Sequence, residues 1–478
     1  MRSAGTKCSA RSAKSETNRP ARVLQDCDRR PAGAIDEAGV DGVKHGAAPA
    51  RVNKGQGAAG RPSCGSAGCR AIAEIVQLAG DLRRFRVTPA IVLHHGLVKI
   101  VFAAIPAYGH LYPLMPLALA CDAAGHEVTV AVGPPFLGRL PLTTIPQQPA
   151  EMGLDAGFAE AERRGPGLHG RELVVRFFAD VTAEAVTGVL LPALEESRPD
   201  LVIYEAMDAG AGVAASVLDI PAVAFSIALT HLGIAAIHPA AIGYRRDLWI
   251  SRGRQPPEGR RFLSKTLLDP TPPSLRRFSG ALEVTKIPIR PVSYAERSGI
   301  LPAWLEAPKS RPRVYLTLGT VSFGAVEVLS RAIHEIASLD VDLLVAAGPD
   351  GDPTALADVP EHVHIERFVD QSRVLPLVDV IVHHGGTGSV LGALATGLPQ
   401  LILPQGADQF FNARFLTEAG AARALRNEEH GPGEIRRAVS DLLSGGTEQK
   451  VARRIQAEIA ELPAPSEVMP KLLALTGR

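Results

Sequence analysis

Apolar and polar positions fall into short blocks along residues 98–478. Ile100 to Ile105 is a continuous apolar run, read as a strand buried on both faces. Leu114 to Ala124 has the length and spacing of an apolar helix stopped by Gly125, and His126 to Val132 is the next strand. Strand, helix and strand at such short spacing make a right-handed βαβ unit, and hence a parallel sheet. The alternation returns with a strand at Leu201 to Tyr204, a helix at Ala211 to Leu218 and a strand at Pro221 to Ser226. A break follows between Glu283 and Arg313, where Pro288, Pro291, Pro302, Pro308 and Pro312 mark an extended linker. A second alternation starts at Val314 to Leu318. It runs through Leu343 to Ala346, Val363 to Ile365, Val380 to Val382 and Leu401 to Leu403. Amphipathic helices at Glu434 to Leu443 and Glu448 to Glu461 close the chain. The pattern predicts two doubly wound α/β domains whose strands end at a shared cleft, where such folds bind ligands.

The first 97 residues have no such pattern. They hold 16 Lys and Arg against 8 Asp and Glu, whereas the rest holds 35 against 42. Phe85 is their one aromatic residue, and four of the five cysteines lie there, Cys8, Cys27, Cys64 and Cys69. Such a composition does not bury a core, and disorder is expected. Cys64 and Cys69 have no matching second pair, so a zinc site is weakly supported. No apolar signal region is present, and the acidic residues do not suit an organellar transit peptide. The favoured reading is a mis-annotated start. Val98 stands where the first strand begins, as a GTG start translated as valine would. The segments expected are therefore a leader at 1–97, a first domain at 98–295, a linker at 296–312, a second domain at 313–455 and a C-terminal helix at 456–478.

At 478 residues, 46% hydrophobic and with a net charge of +1, the chain has the composition of an ordinary soluble enzyme. Nucleic acid is not a favoured partner, and no apolar run approaches the roughly 20 residues of a spanning helix. With the leader set aside only Cys121 remains, which fits a reducing cytoplasm.

The chemistry is concentrated between Val378 and Asn412. The strand ending at Val382 reaches His383 and His384, then Gly385, Gly386 and Gly388, before helical periodicity starts at Ser389 and Val390. A helix start offers unpaired N–H groups and a positive dipole end, and glycines let a phosphate approach them. The spacing fits neither a P-loop nor a dinucleotide fingerprint. After the next strand, Asp408 and Gln409 combine an acid with an amide, a pair suited to sugar hydroxyls. The turn reads as a diphosphate site beside a sugar site.

This stretch resembles the donor-binding signature of family 1 glycosyltransferases of the GT-B fold, and in particular the actinobacterial antibiotic glycosyltransferases. The resemblance implies that His384, Gly385, Gly386, Gly388 and Ser389 hold the donor diphosphate and that Asp408 and Gln409 hold the sugar. It further implies a phosphate contact at Gly319 and Thr320, and nucleobase contacts at Phe368 and Gln371. Tyr108-Gly109-His110-Leu111-Tyr112-Pro113 matches the family's G-H-x-x-P loop, whose histidine is the general base for the acceptor. A loop histidine alone is more often simply exposed, but an imidazole has the pKa for this task. Aligning Ala215, Leu218, Ile220 and Pro221 with the family puts Glu205 at the position of the orienting carboxylate. Asp208 lies three residues later, and either could reach His110; the bland alternative is that Glu205 only caps the next helix. Family members using uridine diphosphate sugars commonly carry a ribose-binding Glu eight residues after the motif histidine. Gly392 stands there, which tilts the donor toward a thymidine diphosphate sugar. Gly392→Glu is then expected to move preference toward uridine diphosphate.

The expected reaction is a metal-independent, inverting transfer of a hexosyl or deoxyhexosyl group to a hydroxyl of a hydrophobic small molecule. The nucleotide sugar is a co-substrate and no cofactor is expected. Partners are the donor and the aglycone, with no transmembrane segment and a homodimer left open. Residues 134 to 195 and 227 to 282 are expected to line the acceptor pocket, with Phe136, Phe158, Phe177, Phe178, Leu229, Ile234 and Ile237 available. Two other classes stand against this: a nucleotide-sugar epimerase of the same fold, which needs no acceptor base, and a non-catalytic partner of a transferase.

Overall fold

The computed structural model describes residues 96–258, 262–280, 282–294, 301–319, 326–348, 359–426 and 431–477. The expectations for the leader, its cysteines and Thr320 lie outside these residues.

Among the described residues the strands form two sheets, both parallel throughout. The first contains β1 (Lys99–Ala103), β2 (Glu127–Val132), β3 (Thr143–Pro146), β4 (Leu201–Glu205), β5 (Ala222–Phe225), β6 (Thr266–Asp269) and β7 (Thr285–Pro288). Their order is β3-β2-β1-β4-β5-β6-β7. The second contains β8 (Arg313–Thr317), β9 (Asp342–Ala346), β10 (Val363–Glu366), β11 (Val380–His383), β12 (Gln400–Ile402) and β13 (Ala422–Ala424), in the order β10-β9-β8-β11-β12-β13. Helices cover both faces, so the central strands are enclosed on both sides, and every residue of β4 and β8 is buried. The predicted pair of doubly wound α/β domains is what the chain forms.

In each sheet the strand order reverses once, between β1 and β4 and between β8 and β11, and such a reversal opens a crevice at the carboxyl ends. The loop carrying His110 follows β1, and Glu205 ends β4. Gly319 follows β8 closely, and His384 follows β11 directly. Topology alone thus brings the candidate residues to the two switch points.

The sheet is wider than the sequence suggests. β3 and β6 fall in the segments expected to line the acceptor pocket, and β7 occupies the start of the proposed break at Glu283. Four-residue strands give too little periodicity to detect. Pro288 ends the edge strand β7, where a missing N–H costs nothing. The boundary at 456 is also displaced. One helix runs from Thr447 to Ala460, with Ala452, Ile455 and Ile459 in a core shared with the second domain. The helix that returns to the first domain is Pro465–Leu473, whose Val468, Leu472 and Leu473 pack with Phe102, Leu117 and Cys121.

The lobes also meet through the turn Pro273–Phe278, in a segment assigned by sequence to the acceptor pocket. Leu229 and Leu275, 1% and 0% exposed, join Val390, Leu394, Ile402 and Leu416 of the second domain. Burying each of these leucines contributes about 1.5–3 kcal/mol. Phe278 stacks on Phe415 at 4.7 Å between ring centroids, and the Ser274 N–H donates to Glu458 Oε2 at 2.8 Å. One continuous helical run, Gly170–Ser197, is long and apolar enough on those grounds to cross a membrane, yet 67% of its most apolar window is buried in the protein. It is the core helix of the first domain, with Leu190 and Leu194 fully buried against the sheet.

Candidate active site

His110 lies in a single helical turn, Tyr108–Leu111, just after β1. Its Nδ1 is 2.8 Å from Oε1 of Glu205, which is fully buried as the last residue of β4. The second oxygen, Oε2, accepts from the Met207 N–H at 2.8 Å. With Nδ1–H donating to the carboxylate, Nε2 is the nitrogen left to take a proton, an assignment made from the network. Burial works against charge on His110. The charge and hydrogen bond of Glu205 outweigh it, and the imidazole titrates above its ordinary value.

The choice between the two carboxylates is resolved in space. Asp208 is the N-cap of the helix Ala209–Leu218: Oδ1 accepts from the Ala211 N–H at 3.1 Å, and Oδ2 from Gln147 Nε2 at 3.0 Å. Glu205 therefore makes the bond to His110, and the capping role considered for it belongs to Asp208. Burial, with the charge of Glu205 added, pushes the Asp208 carboxyl up to about 7.

On the other domain, β11 delivers His384 to the start of the helix Thr387–Ala395, two residues earlier than the expected start at Ser389. No side chain caps this helix, and Gly388 is exposed with open space where a Cβ would stand. The leading N–H groups are thus available to an anion. The His384 ring is wedged between Gly319 and Gly386, where an added Cβ would come within 2.6 and 2.4 Å of it. Burial lowers its pKa to about 4. It is a neutral imidazole, so what it offers a diphosphate is an N–H dipole rather than a positive charge. Its Nδ1 is buried without a partner, which favours the tautomer with the proton on Nε2.

Asp408 faces the same turn. Its Oδ2 accepts from Thr387 Oγ1 and from Asn412 Nδ2, both at 2.9 Å. Burial outweighs these bonds and holds its carboxyl above the ordinary value, while His110 acts in the other direction. Asp408 in turn raises His110. The two groups come from different domains and lie near enough to perturb one another, so the loops carrying His110 and Asp408 face one cleft. Gln409 is directed otherwise. It is 4% exposed, and its Oε1 accepts from the Gln405 and Gly406 N–H groups at 2.8 and 3.0 Å. Its carbonyl oxygen is thus engaged in shaping the loop, and the expected sugar contact falls to its amide nitrogen. Just before Asp408 and Gln409, Ala407 is held at φ 54°, a left-handed conformation that costs an alanine about 1 kcal/mol or more.

Phe368 is half-buried, with its ring 6.3 Å from that of Tyr108 on the first domain. Gln371 Oε1 accepts weakly from Ser389 Oγ at 3.4 Å. Gly392 is not a void. A Cβ there would lie 3.1 Å from Leu375 Cδ1, 3.2 Å from Gln371 Nε2 and 3.3 Å from Ser293 Oγ. Of the aromatic and aliphatic residues offered to the acceptor, Phe136, Phe177, Ile234 and Ile237 are core and Leu229 joins the interdomain contact. Phe178 is the one that meets the site, stacked on His110 at 6.1 Å and 23°. It is carried by a π-helical turn, Phe177–Val181, a local irregularity common at functional sites. No periodicity announces such a turn. Gln147 and Asn412 carry no signal in the sequence and His383 shows there only as the neighbour of the motif histidine, because a buried polar partner leaves no local mark.

Comparison with known proteins places this geometry. The chain matches the Erythromycin biosynthesis protein CIII-like N-terminal domain over residues 119–319 and the C-terminal domain of the same description over 330–475. It is 31% identical over 391 residues to the L-demethylnoviosyl transferase of Streptomyces niveus, covering 79% of this chain and 98% of that one. Among solved structures it is similar to the glycosyltransferase SnogD from Streptomyces nogalater (TM-score 0.64, 25% identity, 80% of this chain and 100% of that one). It is also similar to the glycosyltransferase VinC in complex with dTDP (TM-score 0.64, 26% identity, 79% and 99%). The chain belongs to the family 1 glycosyltransferases of the GT-B fold, among the actinobacterial natural-product enzymes of the macrolide and antibiotic type.

Proposed function

We propose that the protein transfers a hexosyl or deoxyhexosyl group, with inversion, from a nucleotide diphosphate sugar to a hydroxyl of a hydrophobic small molecule. The observation that carries this reading is the His110–Glu205 pair, 2.8 Å apart, opposite Asp408 and the uncapped helix start of the other domain. His110 Nε2 takes the acceptor's hydroxyl proton while the freed oxygen attacks the anomeric carbon, and Glu205 stabilises the imidazolium that forms. The bond from that carbon to the diphosphate breaks with its electron pair on the leaving oxygen. The N–H groups near Gly388 and Ser389 and the Nε2–H of His384 receive the growing charge. A single displacement inverts the configuration. This scheme assigns the charge to fixed dipoles and needs no cofactor.

Asp408 binds the sugar hydroxyls, with the Gln409 amide nitrogen beside it. Phe368 and Gln371 face the nucleobase, and Thr320 is assigned to the phosphates by the family motif alone. A thymidine diphosphate donor is favoured because no carboxylate stands at Gly392. The dTDP bound in the related VinC supports that choice. The free, buried thiol of Cys121 suits a cytoplasmic enzyme.

The test is a mass-spectrometric screen of thymidine and uridine diphosphate sugars against a panel of polyketide and macrolide aglycones, with the anomeric configuration of each product read by NMR. Transfer with inversion, faster from the thymidine donors, is expected. Retention of configuration refutes the single displacement, and a strong preference for uridine donors refutes the donor assignment.

A further inference from the structure

The first histidine of the pair, His383, has no place in the chemistry above, and neither has Asn412, yet both are fully buried beside the donor turn. His383 Nδ1 is 3.0 Å from the Gly385 N–H. A backbone N–H can only donate, so Nδ1 is the unprotonated nitrogen and Nε2–H donates to Gln400 Oε1, at 2.8 Å. Burial, with His384 alongside, lowers the His383 pKa to about 3, so the ring is neutral and the hydrogen bonds fix which nitrogen holds its one proton. From the opposite side, Asn412 Nδ2 donates to the Gly385 C=O at 2.9 Å. Both polar groups of one peptide residue are thus held by buried side chains. Gly385 itself stands at φ 95°, and a Cβ on it would meet Ile402 at 2.8 Å.

We propose that His383 and Asn412 are positioning residues, which fix the backbone of Gly385 and so preset His384 and the helix start at Thr387 for the donor diphosphate. The inference rests on the donor site described under the proposed function. Gly385 is the peptide between the His384 ring and the helix, so turning it would swing the ring out of the slot between Gly319 and Gly386. Asn412 extends the same hold to the sugar side, since its Nδ2 also lies 2.9 Å from Asp408 Oδ2 and 3.1 Å from Thr387 Oγ1. One buried amide therefore links the diphosphate turn to the sugar carboxylate.

The geometry makes a specific substitution informative. Nδ1 of a histidine and Oδ1 of an asparagine are the same number of bonds from the backbone, and asparagine readily accepts from the N–H two residues on. His383→Phe keeps a ring of similar size and removes the acceptor; His383→Asn keeps the acceptor and removes the ring. The full chain and both variants are titrated calorimetrically with thymidine diphosphate and uridine diphosphate, alongside thermal midpoints. His383→Phe is expected to weaken the preferred nucleotide at least tenfold, and His383→Asn to recover most of that loss. A Phe variant equal to the wild type, or an Asn variant weaker than the Phe variant, overturns the proposal, since packing and not the acceptor would then be what matters. If His383→Phe does not fold, Asn412→Ala carries the test: a loss of fivefold or more supports the clamp, and unchanged affinity overturns it. A wild-type chain that binds neither nucleotide refutes the functional reading itself.

Discussion

Replacing Asp208 with asparagine should make the protein more stable at alkaline pH, and the effect can be worked from the site. The carboxyl is 1% exposed beside Glu205 and titrates at about 7 rather than 3.8. Because the folded-state value is the higher one, the folded protein holds this proton more tightly than the unfolded chain. Stability linked to it is complete below about pH 4, declines as pH rises, and is lost by about pH 7. A displacement of about three pH units at about 1.4 kcal/mol each makes the ionised group cost on the order of 4 kcal/mol. The substituted amide would not titrate. It keeps an oxygen for the Ala211 N–H, and Gln147 can turn its unpartnered Oε1 toward the new NH2 group. Between pH 5 and pH 8 the advantage of Asp208→Asn over the wild type should therefore widen by on the order of 3 kcal/mol, several degrees of thermal midpoint. Thermal unfolding of both proteins at the two pH values measures this. An advantage that stays constant or shrinks with rising pH would refute the reasoning. Turnover of the same variant should remain within about threefold of wild type, because the bond to His110 comes from Glu205.

His110→Ala should lower turnover about a hundredfold or more, the scale of a general base, while nucleotide affinity measured by calorimetry stays the same. In the wild type kcat/KM should fall as pH drops through the raised pKa of His110, with its inflection above 6.5; Glu205→Gln should move that inflection downward, and an unmoved inflection counts against the pairing. Gly392→Glu should place a carboxylate where uridine-type members of the family carry their ribose acceptor, once Leu375, Gln371 and Ser293 give by a few tenths of an ångström. The thymidine-to-uridine preference should then shift toward uridine diphosphate by about 1 kcal/mol, the scale of one hydrogen bond, and an unchanged preference in competition binding would disprove this.

The sequence made most of the catalytic cleft legible because its parts are local. The strand, the glycine turn and the helix start around His384 are contiguous, and so is the loop holding His110. What it left open depended on contacts between distant positions. Glu205 and Asp208 are three residues apart and chemically alike; only the end of β4 and the start of the next helix separate their roles. Gln409 looked like half of a sugar pair, but its oxygen is taken by two backbone N–H groups that no spacing rule reveals. The interdomain contact at Leu229, Leu275 and Phe278 lay in a stretch of weak periodicity and short strands. Apolar residues there suit an acceptor pocket as well as they suit an interface.

The helix Pro465–Leu473 belongs in space to the first domain and in sequence follows the second. During synthesis the first sheet leaves the ribosome hundreds of residues ahead of Val468, Leu472 and Leu473, with the apolar surface around Leu117 and Cys121 still uncovered. Full coverage of this lobe's core therefore depends on a segment made after the second sheet, which couples the folding of the two lobes. Loss of even this one terminal helix would expose a patch in the domain farthest from it along the chain. Nascent and truncated chains should accordingly need chaperone shielding, and aggregation through the first lobe is the failure to look for during expression.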